Sequence, residues 1–214
     1  MISKKNLSKK LKGIYAIIDP EVCAFANNDP LLTAKDCLEE GAKVVQLRYK
    51  NAADAEVLAL AGKLKKECRK YQALFIMNDR ADLALLSGAD GLHLGQKDLP
   101  VKTARRIFKG FIGVSTHNDK ELSKALKDEV DYIGFGPVFF TGTKKGLPPA
   151  AGINYLKSVV LKVKIPVIAI GGIKKENICE VFKTGTACAA VISAICAAKN
   201  TKAAIEQLTA NLLF

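Results

Sequence analysis

Residues 73–98 read ALFIMNDRADLALLSGADGLHLGQKD, and this stretch shows most clearly the pattern from which the fold is predicted. Two apolar runs of strand length, 73–78 and 91–95, stand on either side of a short segment with helical periodicity. Polar residues follow each run: Asn78-Asp79-Arg80 after the first, and Gln96 to Asp98 after the second. A strand, a helix and a second strand in one such span are typical of a parallel βαβ unit.

The same alternation recurs along the rest of the chain. Strands are predicted at 14–19, 44–49, 73–78, 91–95, 111–115, 132–136, 167–170 and 189–193. Helices are predicted at about 31–41, 53–71, 80–87, 100–108, 119–127, 152–162, 175–184 and 201–213. An open doubly wound sheet would also alternate, but eight regular repeats favour an α/β fold of the (β/α)₈ TIM-barrel type.

The prediction covers residues 1–214 as a single barrel domain, in which 1–12 form a basic N-terminal extension. Two long loops are predicted at 20–30 and 140–151, and the second is a candidate lid over the barrel mouth.

Composition limits the class of protein. The chain has 214 residues, 49% of them apolar, which is enough for one domain with a large core. Its net charge of +12 attracts polyanions, but no groove-reading motif accompanies it, so neither nucleic acid nor a membrane is expected as a partner. No apolar run approaches the ~20 residues that span a bilayer, and the six cysteines form no CxxC pair. We expect free thiols in a soluble, cytoplasmic protein.

Six polar or glycine-containing clusters stand where apolar runs of strand length end. They are Gln46 to Lys50, Asn78 to Arg80, Gly95 to Asp98, Ser115 to His117, Thr141 to Lys144 and Gly171 to Ile173. A closed parallel barrel brings the carboxyl ends of its strands to one mouth, so these clusters would meet there. Together they supply carboxylates, cations, hydroxyls and glycines, which suit a metal-bound phosphorylated substrate.

In the second strand, Gln46, Arg48 and Lys50 share one face while Leu47 and Tyr49 share the other. An amphipathic edge strand would alternate in the same way. The flanking sequence indicates an interior strand, where an unpaired arginine is costly, so a functional role is favoured.

Two carboxylates follow neighbouring strands, Asp79 after the third and Asp98 after the fourth. Mg²⁺ takes one or two carboxylates and fills its octahedron with water and phosphate oxygens, so the pair predicts a magnesium site. A salt bridge from Asp79 to Arg80, or a helix cap by Asp98, are the alternatives. His93 and His117 could each act as a general base, although a hydrogen-bonded structural histidine is the commoner case.

Phosphate binding is predicted at three places. Thr141-Gly142-Thr143-Lys144 offers two hydroxyls, a permissive backbone and a cation. Gly171-Gly172 and Ile192-Ser193 follow the seventh and eighth strands, where such barrels often bind phosphate.

As a set, several motifs resemble the thiamine phosphate synthase family from about residue 13 to 195. They are Gln46-Leu47-Arg48-x-Lys50, Asn78-Asp79-Arg80, the run from Ala89 to Pro100, Gly113-x-Ser115-x-His117, the run from Asp131 to Phe139, and Ala169 to Ile173 with Asn177 beyond.

The resemblance implies a Mg²⁺-dependent coupling of hydroxymethylpyrimidine diphosphate with hydroxyethylthiazole phosphate. It places Mg²⁺ on Asp79 and Asp98. It assigns the diphosphate to Arg48, Lys50, Asn78 and Lys144, and the pyrimidine and its leaving group to Gln46 and Ser115. It assigns the thiazole phosphate to Thr141, Gly142, Thr143, Gly172, Ile192 and Ser193. Arg48, Lys50, Ser115 and Lys144 are the expected catalytic residues.

The chain departs from the family where Gly142 replaces a usual proline and where 145–152 differ from the usual pattern. Thiazole tautomerases share the fold, but they tend to lack the second carboxylate and to carry histidine at the position of Pro137, so Asp98 and Pro137 favour a synthase. A basic ligand-binding barrel without turnover is the third reading. The sequence leaves association into a homo-oligomer open.

Overall fold

The computed structural model describes residues 4–143, 146 and 148–210, and within them eight parallel strands close into a barrel. The strands are β1 Gly13–Ile18, β2 Val44–Leu47, β3 Leu74–Asn78, β4 Gly91–Leu94, β5 Phe111–Thr116, β6 Tyr132–Phe135, β7 Val167–Ile170 and β8 Cys188–Val191. They pair in chain order, and β1 also pairs with β8. The predicted (β/α)₈ TIM barrel is confirmed.

Helices alternate with the strands and cover the barrel. They are α1 Lys4–Lys10, α2 Pro20–Phe25, α3 Pro30–Glu39, α4 Asp54–Lys70, α5 Ala81–Leu86, α6 Val101–Ile107, α7 Asp119–Lys127, α8 Gly152–Lys162, α9 Ile178–Lys183, α10 Ser193–Cys196 and α11 Thr201–Thr209. Among the residues described, no helix is long and apolar enough to cross a membrane.

Strand side chains alternate between two apolar layers. In β1, Ile14 and Ala16 pack outward under the helices, whereas Tyr15 and Ile17 belong to the barrel interior. This period of two follows from the pleat, and burial on both faces explains why the strands read as continuous apolar runs.

Several predicted strands were too long at their carboxyl ends. The second was predicted at 44–49, but β2 ends at Leu47. The reason is that Arg48 and Lys50 leave the strand to form ion pairs at the mouth. The strand ends therefore mark where the barrel stops and the site begins.

The prediction of a loop over 20–30 was wrong, because it contains α2. Asp19 caps this helix, its Oδ1 accepting from the N–H groups of Glu21 and Val22 at 3.1 and 3.3 Å, and Pro20 occupies the first turn. Proline is tolerated there because its missing N–H would have no partner within the helix.

The predicted basic extension 1–12 contains α1. Leu7 and Leu11 lie one helical turn apart and join the interior apolar cluster with Tyr15 and Ile17. Because α1 leads directly into β1, the two leucines fill the amino-terminal end of the barrel. This leaves the carboxyl-terminal end as the open mouth.

Replacing Leu11 with alanine should therefore lower the free energy of unfolding by about 2–5 kcal/mol, because it opens a cavity in the interior. Leu11 is 2% exposed, whereas Leu161 on α8 is 77% exposed. The control Leu161→Ala should change stability by about 0.5 kcal/mol or less. Urea unfolding measures both, and equal losses would contradict this packing of α1.

Candidate active site

Two carboxylates and a lysine meet at the ends of β2, β3 and β4. Lys50 Nζ lies 2.7 Å from Asp79 Oδ2, and the Asp79 carboxyl group is close enough to Asp98 to raise the pKa of Asp98. Asp79 has a left-handed backbone with φ of 61°, which aspartate tolerates better than most residues. The local chain thus turns sharply after β3 and holds two like charges side by side.

Asp98 is fixed by the turn that follows β4. Its Oδ2 accepts from the Gly95 N–H at 2.6 Å, and a Cβ at Gly95 would lie 2.9 Å from that oxygen, so a larger residue there would displace the carboxyl group. Burial, and then the facing Asp79 carboxyl, raise the pKa of Asp98 above its ordinary value. A cation between the two carboxylates would remove that repulsion.

Neither alternative reading of these carboxylates holds. Arg80 pairs with Asp54 and Asp82 rather than with Asp79. Asp98 does not cap α6, whose N-cap residue is Pro100 and which has no side-chain cap.

Arg48 pairs with Asp19, the residue that follows β1. Asp19 is 1% exposed, so the ion pair is buried on its acidic side. Asp19 thus caps α2 with Oδ1 and holds Arg48 with Oδ2. Asn78 is the last residue of β3 and is half-buried beside this region of the mouth.

Gln46 and Ser115 lie at the two ends of a hydrogen-bonded chain inside the barrel. Gln46 donates to the Tyr15 hydroxyl at 2.7 Å, and Ser115 Oγ lies 2.9 Å from His93 Nε2. The Ser115 carbonyl also accepts from Gln96 at 2.6 Å. His117 pairs with Glu121 at 2.7 Å instead.

A cavity of about 110 Å³ opens beside Ser115 at the ends of β5 to β8. Of the predicted site residues, Ser115, Thr141, Thr143, Gly172, Ile192 and Ser193 line it. Thr143 Oγ1 donates to Ser193 Oγ at 3.2 Å, which ties the loop after β6 to the start of α10. The cavity is therefore rich in hydroxyl groups.

The glycine turn after β7 forms one wall of this cavity. Gly171 and Gly172 have φ of 100° and 65°, and a Cβ at Gly172 would overlap the Phe140 carbonyl oxygen. Asn177 Nδ2 donates to the Gly172 carbonyl at 3.0 Å and fixes the turn. Only glycine fits this close approach of two backbones.

Gly142, Lys144 and Gln46 need separate comment. Gly142 does not line the cavity, and nothing lies within 4 Å of a Cβ built on it. Lys144 lies outside the described residues. Gln46 is buried inside the barrel rather than lining the cavity.

Asp19, Tyr15 and Tyr132 were not predicted from the sequence to belong to the site. Asp19 ended the first predicted strand, and an acidic residue at that position was the available signal. The sequence signal for the two tyrosines was weak, since a tyrosine in an apolar strand is often only part of the hydrophobic core.

The fold and site define a (β/α)₈ barrel that carries its polar groups at the carboxyl ends of the strands, as enzymes of this fold do. The chain belongs to the thiamine monophosphate synthase family, whose model matches residues 14–195. A thiamine-phosphate synthase of Archaeoglobus fulgidus is 46% identical over 92% of this chain and 91% of that protein. One of Synechocystis is 44% identical over 94% of this chain, which spans 57% of that protein.

A solved structure supports the same relationship. The thiamine phosphate pyrophosphorylase of Pyrococcus furiosus superposes with a TM-score of 0.87 at 39% identity, covering 96% of each chain.

Truncating Arg48 should destabilise the protein strongly, because Asp19 would stay buried without its charge partner. We expect Arg48→Ala to lower the free energy of unfolding by about 3 kcal/mol. The control Arg80→Ala removes an exposed arginine that also has two acidic partners, and should cost about 1 kcal/mol or less. If urea unfolding gives equal losses, the buried pair is not structurally important.

Proposed function

We propose that this chain is a Mg²⁺-dependent thiamine phosphate synthase. The thiazole nitrogen of hydroxyethylthiazole phosphate attacks the methylene carbon of hydroxymethylpyrimidine diphosphate. The new C–N bond forms as the C–O bond breaks, and its electron pair leaves with pyrophosphate. The observation that carries the proposal is the facing carboxylate pair of Asp79 and Asp98 beside Lys50, in a barrel of this family.

Asp79 and Asp98 would hold Mg²⁺. The two oxygen-bearing side chains fit this ion, and within the described ranges no group of three or more His, Cys, Asp or Glu gathers. Two carboxylates leave the remaining places for water and diphosphate oxygens, as Mg²⁺ prefers. When bound, the ion supplies positive charge that stabilises the leaving pyrophosphate.

Cationic side chains complete the diphosphate half of the site. Lys50 and Arg48 follow β2 and are held by Asp79 and Asp19, so their charges are fixed before a substrate binds. Asn78 adds an amide at the end of β3, and Lys144 is assigned the same role by the family resemblance. Fixed cations favour the transition state, in which negative charge collects on pyrophosphate.

The hydroxyl-rich cavity would bind the thiazole phosphate. Thr141, Thr143 and Ser193 offer neutral donors, and the turn at Gly172 brings backbone close to the cavity. Ser115 lines the same cavity, and the family resemblance assigns it to the pyrimidine and its leaving group.

No general base is needed, because the attacking nitrogen carries no proton. The engagement of His93 with Ser115 and of His117 with Glu121 is consistent with structural roles for both. Asp98, and Pro137 in the cavity wall, favour this function over a thiazole tautomerase. A barrel that only binds ligands would tolerate loss of the carboxylates.

Asp98→Asn should reduce the rate of thiamine phosphate formation at saturating Mg²⁺ by about a hundredfold or more. Asparagine keeps an oxygen for the Gly95 N–H but loses the negative charge, so the turn should persist. The matched control Asp119→Asn changes an exposed carboxylate on α7 and should leave the rate unchanged. Full activity in Asp98→Asn would refute the metal assignment.

The two halves of the site should separate in binding experiments. Lys50→Met should weaken binding of the diphosphate substrate about tenfold, because a charged hydrogen bond is lost, and should leave binding of the thiazole phosphate unchanged. Thr143→Val should do the reverse. Each variant serves as the control for the other in calorimetry, and matching losses for both ligands would overturn the division of roles.

A further inference from the structure

Five side chains from five strands form one hydrogen-bonded chain through the barrel interior. It runs from Gln46 on β2 to Tyr15 on β1 at 2.7 Å, and from Tyr15 to Tyr132 on β6 at 3.1 Å. Tyr132 then lies 3.1 Å from His93 Nδ1 on β4, and His93 Nε2 lies 2.9 Å from Ser115 Oγ on β5. Only Ser115, at the far end, lines the cavity.

The shape of the interior holds this chain in place. Gly113 faces Tyr132 in the strand register, and a Cβ there would overlap the phenol ring. A Cβ at Gly134 would lie 3.1 Å from His93 Cε1. Tyr15 and Tyr132 are fully buried, so neither ring can turn its hydroxyl toward water.

The direction of the protons follows from counting donors. The Gln46 amide nitrogen can only donate, so the Tyr15 oxygen accepts from it. Tyr15 has one proton, and within the described part of the chain Tyr132 is its remaining hydrogen-bond partner. Tyr132 must then give its own proton to His93 Nδ1. Histidine with a bare Nδ1 carries its proton on Nε2 and donates to Ser115.

The opposite direction fails at the buried end. If Ser115 donated to His93, Tyr132 would accept from His93 and donate to Tyr15. The Tyr15 proton would then point at the Gln46 N–H, an orphaned donor in an apolar interior. Burial raises the pKa of both phenols, so neither ring loses its proton to escape this conflict.

We propose that Tyr132 is a positioning residue that holds His93 as the neutral Nε2–H tautomer and thereby turns the Ser115 hydroxyl proton into the cavity. There Ser115 donates to an oxygen of the bound diphosphate substrate. The identity of that substrate rests on the proposed function, whereas the proton direction rests on the geometry alone.

Nuclear magnetic resonance of the full chain with ¹⁵N-labelled histidine tests the proton direction without any substrate. The chain has two histidines, so His117→Gln assigns the spectrum. We expect His93 to be protonated on Nε2 and bare on Nδ1 at neutral pH. A wild-type His93 protonated on Nδ1, or on both nitrogens, would overturn the proposal even if no variant folds.

Two matched variants each remove one buried hydroxyl. Tyr132→Phe takes away the donor to Nδ1, and His93 should become a mixture of tautomers. Tyr15→Phe leaves Tyr132 as the donor, and the tautomer should stay as in the wild type. An unchanged tautomer in Tyr132→Phe would show that Tyr132 does not set it.

Kinetics test the second half of the proposal. Tyr132→Phe should lower kcat/KM for the diphosphate substrate about tenfold, the value of one hydrogen bond, with the KM of the thiazole phosphate unchanged. In Tyr15→Phe, kcat/KM for the diphosphate substrate should stay within about twofold of the wild-type value. A shifted tautomer with unchanged kinetics would refute the role of Ser115. If no thiamine phosphate forms at all, the proposed function fails while the spectrum still tests the chain.

Discussion

The pairing of β1 with β8 closes the barrel, and this closure determines which residues meet at the mouth and in the interior. Parallel strands in a closed ring must present all their carboxyl ends at one mouth. Residues distant in sequence therefore become neighbours, such as Thr143 and Ser193, or Tyr15 and Tyr132. The α1 leucines fill the opposite end, so ligands have one side to enter.

The mouth is held by charges that are paired before any ligand arrives. Asp19 forms an ion pair with Arg48, and Asp79 forms one with Lys50. The left-handed backbone of Asp79 costs about 1 kcal/mol of strain. The contact of Asp79 with Asp98 is the exception, since it brings like charges together. This like-charged pair is the reason why we propose that Mg²⁺ and a diphosphate bind here.

The sequence predicted the fold well because two periodicities alternate eight times, and each predicted strand contains or overlaps an observed one. Strand ends were predicted less accurately. Polar and apolar residues go on alternating through Arg48 and Lys50, although the hydrogen bonding of β2 to its neighbouring strands ends near Leu47. The helices α1, α2 and α10 were missed. Five lysines in 1–12 masked the buried Leu7 and Leu11, and α2 and α10 are too short, at six and four residues, to show a helical periodicity.

The placement of side chains at the mouth was predicted in part. Asp79 and Asp98 follow adjacent strands, so spacing alone brought them together. The pairing of Arg48 with Asp19 and the chain from Gln46 to Ser115 depend on which side chains meet across the interior. Strand register and tilt decide that, and a pattern of period two does not encode either.

The reaction of the wild-type protein with both substrates distinguishes a Mg²⁺-dependent synthase from a barrel that only binds ligands. After chelation of divalent cations, we expect no product. On addition of Mg²⁺ we expect thiamine phosphate and pyrophosphate in equal amounts, with pyrophosphate release requiring the thiazole phosphate. Equal rates with and without Mg²⁺, or pyrophosphate released without thiamine phosphate, would contradict this expectation.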